Sequence, residues 1–281
     1  MGCIAIEKSD NEDFILEGSL VLTAVGVAHE IYSEDQKLGL YVDEDQRDFS
    51  RDQLFRYHSE NNPTRVHRSV APSFSVSANM LVAFVFVLTG FFYFQNTFMT
   101  EAFWDKASSS AAIFTNHAWW RAITSLFLHA DSTHFSGNLF AGVLMTAVLA
   151  SIFGSGLTWT AFLFSGAVGN AINAYVYRHA DHFSIGFSTA VFGAVGAWAG
   201  YKLHDSRHWI IPVGTALAIL GLWGASPDSD FMAHFWGLIA GGVYGVVMAW
   251  TRLPARLGKF GQAALSTLVA ALIAAAWIHV V

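Results

Sequence analysis

Seven long apolar segments follow a shorter polar region in this chain. They cover residues 77–95, 134–152, 159–177, 186–203, 209–225, 231–250 and 261–281. Each is close to the roughly 20 residues that a helix needs to cross the apolar core of a bilayer. The pattern predicts an all-α polytopic membrane protein, with a core of six helices and an additional seventh transmembrane helix at the C-terminal end.

The polar region before these segments has a mixed pattern. Residues 14–22 carry apolar side chains at helical spacing, whereas residues 29–32 and 38–42 alternate as two strands of a hairpin. Residues 48–57 resemble a closing helix. We predict a small soluble α+β domain and interpret it as an accessory or interaction domain. The predicted organisation is a head at 1–62, a linker at 63–76, the six-helix core at 77–250, and a loop with the seventh helix at 251–281.

Composition supports this division. Hydrophobic residues make up 54% of the chain and charged residues only 13%, against about 25% charged residues in a typical soluble domain. Fourteen of the 21 acidic residues lie in residues 1–62. An acidic head argues against a nucleic-acid partner. Because Cys3 is the single cysteine, neither an intrachain disulfide nor a cysteine-based metal cluster is expected, and we expect no metal and no cofactor.

Basic residues mark one side of the membrane. The loops on the side of the head carry Arg65, Arg68, Lys202, Arg207, Arg252, Arg256 and Lys259. The opposite loops carry Lys106, Arg121 and Arg178, together with the acidic Asp228 and Asp230. The positive-inside rule therefore predicts a cytoplasmic N-terminus and a C-terminus outside the cell.

Three polar residues begin the second, fourth and sixth apolar segments. They are His134, Ser188 and His234. Since these segments all run from the outside inward, the three side chains should lie at one depth near the outer membrane face. Strongly polar side chains are costly at membrane depth and by default mark function.

Ser188 and His234 have the chemistry of a nucleophile and its general base. A serine hydroxyl needs a neighbouring base to take its proton, and histidine suits that role near neutral pH. No aspartate lies inside any apolar segment, so we predict a dyad rather than a triad. Phe192, four residues after Ser188, lies on the same helical face and is expected to pack against the His234 ring.

His134 and Asn138 are predicted to stabilise an oxyanion. They are four residues apart and share one helical face. The backbone N–H of Ser188 is a further candidate donor, because the first N–H groups of a helix have no partner within it.

Each of these residues also has a purely structural interpretation. Ser188 is at a position typical of a helix N-cap, His134 and Asn138 suit an interhelical hydrogen-bonded pair, and His234 suits helix packing. Asn170 and Asn173 are interpreted as interhelical contacts. The histidines at 117, 179, 182, 204, 208 and 279 are interpreted as loop or terminal residues.

Other classes of membrane protein are less consistent with the sequence. There is no His-Glu-x-x-His motif for a zinc protease and no pair of intramembrane aspartates for an aspartyl protease. A small-solute transporter is disfavoured because the chain has no recognisable inverted repeat.

Residues 77–250 resemble the rhomboid intramembrane serine proteases. Five ordered motifs carry this resemblance: Trp120-Arg121, His129 eight residues after the arginine, His134-x-x-x-Asn138, Gly186-x-Ser188, and Ala233-His234-x-x-Gly237-x-x-x-Gly241. The acidic head resembles that of bacterial inner-membrane members, and the seventh helix is found in part of the family.

The resemblance implies roles for these residues. Ser188 and His234 would form the catalytic dyad, His134 and Asn138 would support the oxyanion, and Trp120-Arg121 would belong to a loop half sunk in the outer leaflet. Gly186, Phe192, His129, Gly237 and Gly241 would support the site.

The resemblance also implies substrates. These would be single-span membrane proteins, cut within the lipid bilayer near the outer end of their helix. The alternative is a catalytically silent relative that binds membrane helices and delivers them elsewhere. One position departs from the family motif: Thr189 follows the serine where glycine is usual, and we expect its β-branched side chain to narrow the substrate cleft.

Overall fold

A computed structural model describes residues 3–34, 37–61, 76, 78–101, 104, 108–180, 182–205, 209–225 and 229–280. The predicted linker, except for residue 76, lies outside this part of the chain. The same holds for five of the charged loop residues named above: Arg65, Arg68, Lys106, Arg207 and Asp228. The chain divides into two compact units, Met1–Arg68 and Ser69–Val281.

The first unit is an α+β fold with a three-stranded antiparallel sheet. Its elements are β1 (Cys3–Ser9), α1 (Glu12–Ala24), β2 (His29–Glu34), β3 (Lys37–Asp43) and α2 (Arg47–Asn61), with a short 3₁₀ turn at Glu44–Gln46. The strand order is β1-β3-β2. Two helices and a hairpin were predicted here and are confirmed. The strand β1 was not predicted, because only Ile6 of its seven residues is buried and it lacks a clear alternation.

Among its described residues, the second unit contains seven long helices at the predicted positions. They are α3 (Ala78–Phe98), α4 (Ser132–Phe153), α5 (Ser155–Val176), α6 (Ser188–Asp205), α7 (Ile210–Trp223), α8 (Phe231–Thr251) and α9 (Lys259–Ile278). Four of them, α3, α4, α8 and α9, are long and apolar enough to cross a membrane, and α7 is a shorter apolar helix. The predicted fold class, an all-α polytopic membrane protein with a small N-terminal sheet domain, is confirmed.

Helices α6 and α8 pack against each other through glycine. A Cβ atom at Gly241 would overlap the carbonyl group of Gly193, and one at Gly237 would overlap the carbonyl oxygen of Thr189. The two backbones are therefore in direct contact over two turns, as small residues permit between membrane helices. This contact fixes the distance between the helix that carries Ser188 and the helix that carries His234.

The seventh helix, α9, is joined to the core by a buried side chain at its first turns. Nε2 of Gln262 donates to the carbonyl oxygen of Phe153 at 2.7 Å, and its Oε1 accepts from the N–H of Leu157 at 3.0 Å. Gln262 thereby satisfies backbone groups where α4 ends and α5 begins, groups that have no partner within their own helices.

The described part of the segment between α3 and α4 contains three short helical turns, at Ala112–Thr115, Arg121–Thr124 and Ser125–Phe127. Arg121 is buried, and its Nη1 donates to Oγ of Ser110 at 2.9 Å. The Trp120 ring stacks on His279 at 4.6 Å, with 11° between the planes. This segment is therefore packed against the end of α9.

Candidate active site

Ser188 is the first residue of α6, and the chain before it is held by backbone hydrogen bonds. The backbone of Ser184 pairs with that of Ser109 through two hydrogen bonds of 2.9 and 3.0 Å. The N–H of Gly186 donates to the carbonyl oxygen of Ser125 at 2.9 Å. Gly186 has a φ angle of +115°, a conformation that residues other than glycine rarely adopt. The sequence Gly-Phe-Ser thus forms a tight turn that leads into α6, and Ser188 is the first residue of that helix.

Ser188 and His234 are in hydrogen-bond contact. Oγ of Ser188 lies 2.8 Å from Nε2 of His234, whose side chain is buried. Nδ1 of the same ring lies 3.1 Å from the carbonyl oxygen of Gly224. Because a carbonyl oxygen only accepts, Nδ1 must carry the proton, and in the neutral ring Nε2 is then free to accept from the serine hydroxyl. This is the tautomer that a general base for Ser188 requires.

Phe192 lies against the His234 ring. The two ring centroids are 4.6 Å apart and the planes are inclined by 32°. The ring of His234 is therefore positioned by the Gly224 carbonyl at one edge and by Phe192 at one face. No carboxylate is needed to select its tautomer.

His134 and Asn138 converge on Gly186 from the first turns of α4. A Cβ atom at Gly186 would lie 2.6 Å from Nε2 of His134 and 3.3 Å from Nδ2 of Asn138. Asn138 is buried, and within the described part of the chain its Nδ2 has no hydrogen-bond acceptor. A buried donor without a protein partner is uncommon and calls for an explanation. This donor lies beside Gly186, two residues before Ser188 in the chain, where it can donate to a substrate carbonyl oxygen.

His129 lies behind His134, at 5.3 Å between ring centroids. It is completely buried, and it also contacts the rings of Phe92 and Phe135. Burial, together with the proximity of His134, lowers the pKa of His129 to about 3. His129 is therefore a neutral ring that supports His134 from behind.

Four other predicted supporting residues have packing contacts. Gly237 and Gly241 form the α6–α8 contact described above, and Trp120 and Arg121 are part of the segment packed against α9. In the described part of the chain, no three His, Cys, Asp or Glu side chains come together as a group that would hold a metal ion.

The expectation for Thr189 needs a correction. Its side chain is buried, and its Cγ2 methyl group lies against two glycines on neighbouring helices. A Cβ atom would lie 2.8 Å from that methyl group at Gly169 and 3.0 Å from it at Gly237. The methyl group fills the interface between α5, α6 and α8 instead of narrowing a substrate cleft. The sequence did not indicate this, because it depends on which glycines face position 189.

Two residues at the site were not identified from the sequence. Gly224 supplies the carbonyl oxygen for His234, and Asp230 caps α8 by accepting from the N–H of Ala233 at 3.1 Å. An aspartate three residues before the N–H that it caps is a recognisable N-cap signal. No sequence signal marks the Gly224 carbonyl, since its contact depends on the conformation of the loop.

Comparison with known protein families identifies the domain that contains this site. The model of the rhomboid domain matches residues 116–251, which contain every residue of the candidate site. Residues 116–251 form a rhomboid domain. The motifs noted in the sequence lie within this domain, as does the Ser188–His234 contact.

The relatives include proteins from bacteria and plants. The chain is 28% identical to "Rhomboid protease GluP" of Bacillus subtilis over 66% of its own length and 35% of that protein. It is 31% identical to "Putative rhomboid protease YdcA" of the same bacterium, over 45% of its length and 65% of that protein. It is 35% identical to the chloroplastic "Rhomboid-like protein 11" of Arabidopsis thaliana, over 53% of its own length and 56% of that protein. The chain thus spans one third to two thirds of the length of these rhomboid relatives.

Proposed function

We propose that this protein is an intramembrane serine endopeptidase that cleaves transmembrane-helix substrates near the outer membrane face. The observation that carries the proposal is the 2.8 Å contact between Oγ of Ser188 and Nε2 of His234, in a ring whose Nδ1 faces a carbonyl oxygen. The contact joins a nucleophile to a base in the correct tautomer. The rhomboid domain at residues 116–251 supports the same reaction class.

The mechanism begins with proton transfer from Ser188. As Oγ attacks the carbonyl carbon of the scissile peptide bond, Nε2 of His234 takes the hydroxyl proton. The resulting imidazolium keeps its Nδ1–H bond to the Gly224 carbonyl oxygen, which stabilises the charged ring. His234 then gives the proton to the leaving amine, and the peptide bond breaks to leave an acyl-enzyme ester on Ser188.

Three donors surround the position where negative charge develops on the substrate oxygen. They are Nδ2 of Asn138, Nε2 of His134 in its protonated tautomer, and the backbone N–H of Ser188 at the start of α6. The positive end of the helix dipole favours an anion at the same place. Preorganised donors of this kind are worth about 10²–10³-fold in kcat each. A water molecule, activated by His234, completes the cycle by hydrolysing the ester.

The substrates of this reaction are proposed to be single-span membrane proteins. The N-terminus is proposed to be cytoplasmic and the C-terminus outside, in the inner membrane of a bacterium. The distribution of basic residues supports this orientation. Fusions of alkaline phosphatase, which is active only outside the cytoplasm, test it. Activity is expected for a fusion after residue 281 and not for a fusion before residue 1.

The test of the activity is a cleavage assay with the purified protein in detergent and a fluorescent single-span substrate. Wild type is expected to cleave, whereas Ser188→Ala and His234→Ala are expected to lose cleavage. Equal rates for wild type and Ser188→Ala would refute the dyad. If wild type binds the substrate without cutting it, the protein is instead a silent relative that binds membrane helices.

A further inference from the structure

Polar side-chain contacts join residues 182–188 to the start of α8. One is the Ser188–His234 contact of 2.8 Å. Four residues earlier in each segment, Oγ of Ser184 donates to Oδ2 of Asp230. The two contacts are in register, so that Ser184 and Asp230 hold the same two segments together one helical turn before the dyad.

Asp230 accepts more hydrogen bonds than a helix cap requires. Its Oδ1 caps α8 through the N–H of Ala233. Its Oδ2 accepts from Nδ2 of Asn173 at 2.7 Å and lies 2.7 Å from Nε2 of His182, in addition to the Ser184 contact. The side chain is only 18% exposed. Hydrogen bonds to an ionised carboxylate are roughly twice as strong as those between neutral groups.

The side-chain donors to Asp230 belong to parts of the fold that do not include α8. Asn173 lies on α5, and the backbone of Ser184 is paired with Ser109 of the segment between α3 and α4. Ser110 of that segment in turn accepts from the buried Arg121. Asp230 therefore attaches the first turn of α8 to α5 and, through Ser184, to the segment that contains Arg121.

The electrostatics of the group match an ionised acceptor. Burial by itself would raise the pKa of Asp230, but hydrogen bonds from Ser184, the Ala233 N–H and His182 outweigh it and lower the pKa below its usual value. The carboxylate therefore stays charged through the neutral range, where it accepts all four donors.

We propose that Asp230 is a positioning residue for the general base. Its carboxylate, held by Asn173, His182 and Ser184, fixes the first turn of α8 and so keeps Nε2 of His234 within hydrogen-bond distance of Ser188. This inference rests on the proposed function, because it assigns Asp230 to the alignment of the same dyad.

The variant Asp230→Asn separates two roles of the side chain. One is to cap α8, and the other is to accept the hydrogen bonds from Asn173, His182 and Ser184. Asparagine is as good an N-cap as aspartate, but its single side-chain oxygen cannot serve both the Ala233 N–H and the three side-chain donors. Asp131→Asn is the matched control. Asp131 caps α4 through the N–H of His134 at 2.8 Å, and its side chain accepts no second hydrogen bond from the described residues.

The readout is the reaction of Ser188 with a fluorophosphonate probe, followed over time, together with kcat and KM for a fluorescent single-span substrate. The amplitude of labelling counts folded molecules, whereas its rate constant reports the alignment of the dyad. For Asp230→Asn we expect full amplitude, an unchanged KM and a fall of about 10–100-fold in both the labelling rate and kcat. For Asp131→Asn we expect rates within about twofold of wild type.

Ser184→Ala provides a second test that leaves the cap of α8 intact. It is expected to lower the labelling rate in the same direction by a smaller factor. The double variant is expected to be no slower than Asp230→Asn, because both changes remove one contact. The proposal is overturned if Asp230→Asn reacts at the rate of Asp131→Asn, or if it loses only amplitude, which would indicate a purely structural role. Absence of labelling in wild type would overturn the proposed function, and this inference with it.

Discussion

The imidazole of His134 lies so close to Gly186 that a methyl group added there would lie 2.6 Å from its Nε2 atom. Gly186 also has a φ angle of +115°. The glycine of the serine motif is thus required twice, for the turn into α6 and for the approach of the ring that is proposed to bind the oxyanion.

Gly186→Ala is therefore expected to lower both activity and stability. The strained backbone costs on the order of 1–3 kcal/mol, and the displaced His134 ring is expected to reduce the cleavage rate at least about tenfold. Gly90→Ala on α3 is the control, because a Cβ atom there meets nothing within 4 Å. Cleavage assays and thermal unfolding of both variants check this. Wild-type activity in Gly186→Ala would contradict the placement of His134.

Asn138→Ala tests the proposed oxyanion donor. It is expected to lower kcat by about 10²–10³-fold with little change in KM, because the hydrogen bond forms only as charge develops on the substrate oxygen. Asn138→Asp, similar in shape but without the donor, is expected to lose as much. Asn96→Ala, at an exposed asparagine whose side chain donates to the Phe92 carbonyl within α3, is the control. An increase in KM with kcat unchanged would show that Asn138 binds substrate without stabilising the oxyanion.

Gln262→Leu tests whether α9 is an integral part of the core. The substitution leaves the Phe153 carbonyl and the Leu157 N–H without their partner, at about 1–3 kcal/mol for each buried group. The unfolding temperature in detergent is expected to fall by about 2–4 °C for each kcal/mol. Ser266→Ala, one turn along the same helix, is expected to unfold near the wild-type temperature. Equal unfolding temperatures for wild type and Gln262→Leu would show that the two hydrogen bonds of the Gln262 side chain contribute nothing to stability.

His129 predicts how stability changes with pH. Its pKa is lowered from 6.5 to about 3 in the folded protein. Between these values the unfolded chain binds a proton at this ring and the folded chain does not, so that stability falls as the pH decreases from 6.5 towards 3. The slope from this one group is at most about 1.4 kcal/mol per pH unit.

The measurement is the unfolding temperature between pH 7 and pH 4. His129→Leu is expected to show a shallower decline than wild type, whatever its stability at pH 7. His279→Gln, at an exposed histidine, is expected to keep the wild-type slope. A wild-type slope in His129→Leu would show that the acid sensitivity arises elsewhere.

Much of the fold could be predicted from the sequence, because the length and the hydrophobic composition of a segment are enough to identify a membrane helix. The seven helices, the hairpin of the head and the alignment of α4, α6 and α8 all followed from local patterns. The alignment in turn indicated Ser188 and His234 as a pair. Their catalytic role remains a prediction.

The remaining features depend on contacts between distant residues. The buried methyl group of Thr189 could not be foreseen, because its surroundings are set by Gly169 and Gly237 on two other helices. Gly224, His182 and Ser184 lie between the long helices, where hydrophobic periodicity gives no information. The strand β1 was missed because its burial comes from pairing with β3 at the other end of the head.

The most direct test of the proposed dyad is the site of fluorophosphonate attachment, determined by mass spectrometry of the labelled protein. We expect one modified residue, Ser188, and we expect His234→Ala to abolish the modification while the protein remains folded. Modification of a different residue, or labelling of Ser188 at the wild-type rate in His234→Ala, would contradict the dyad.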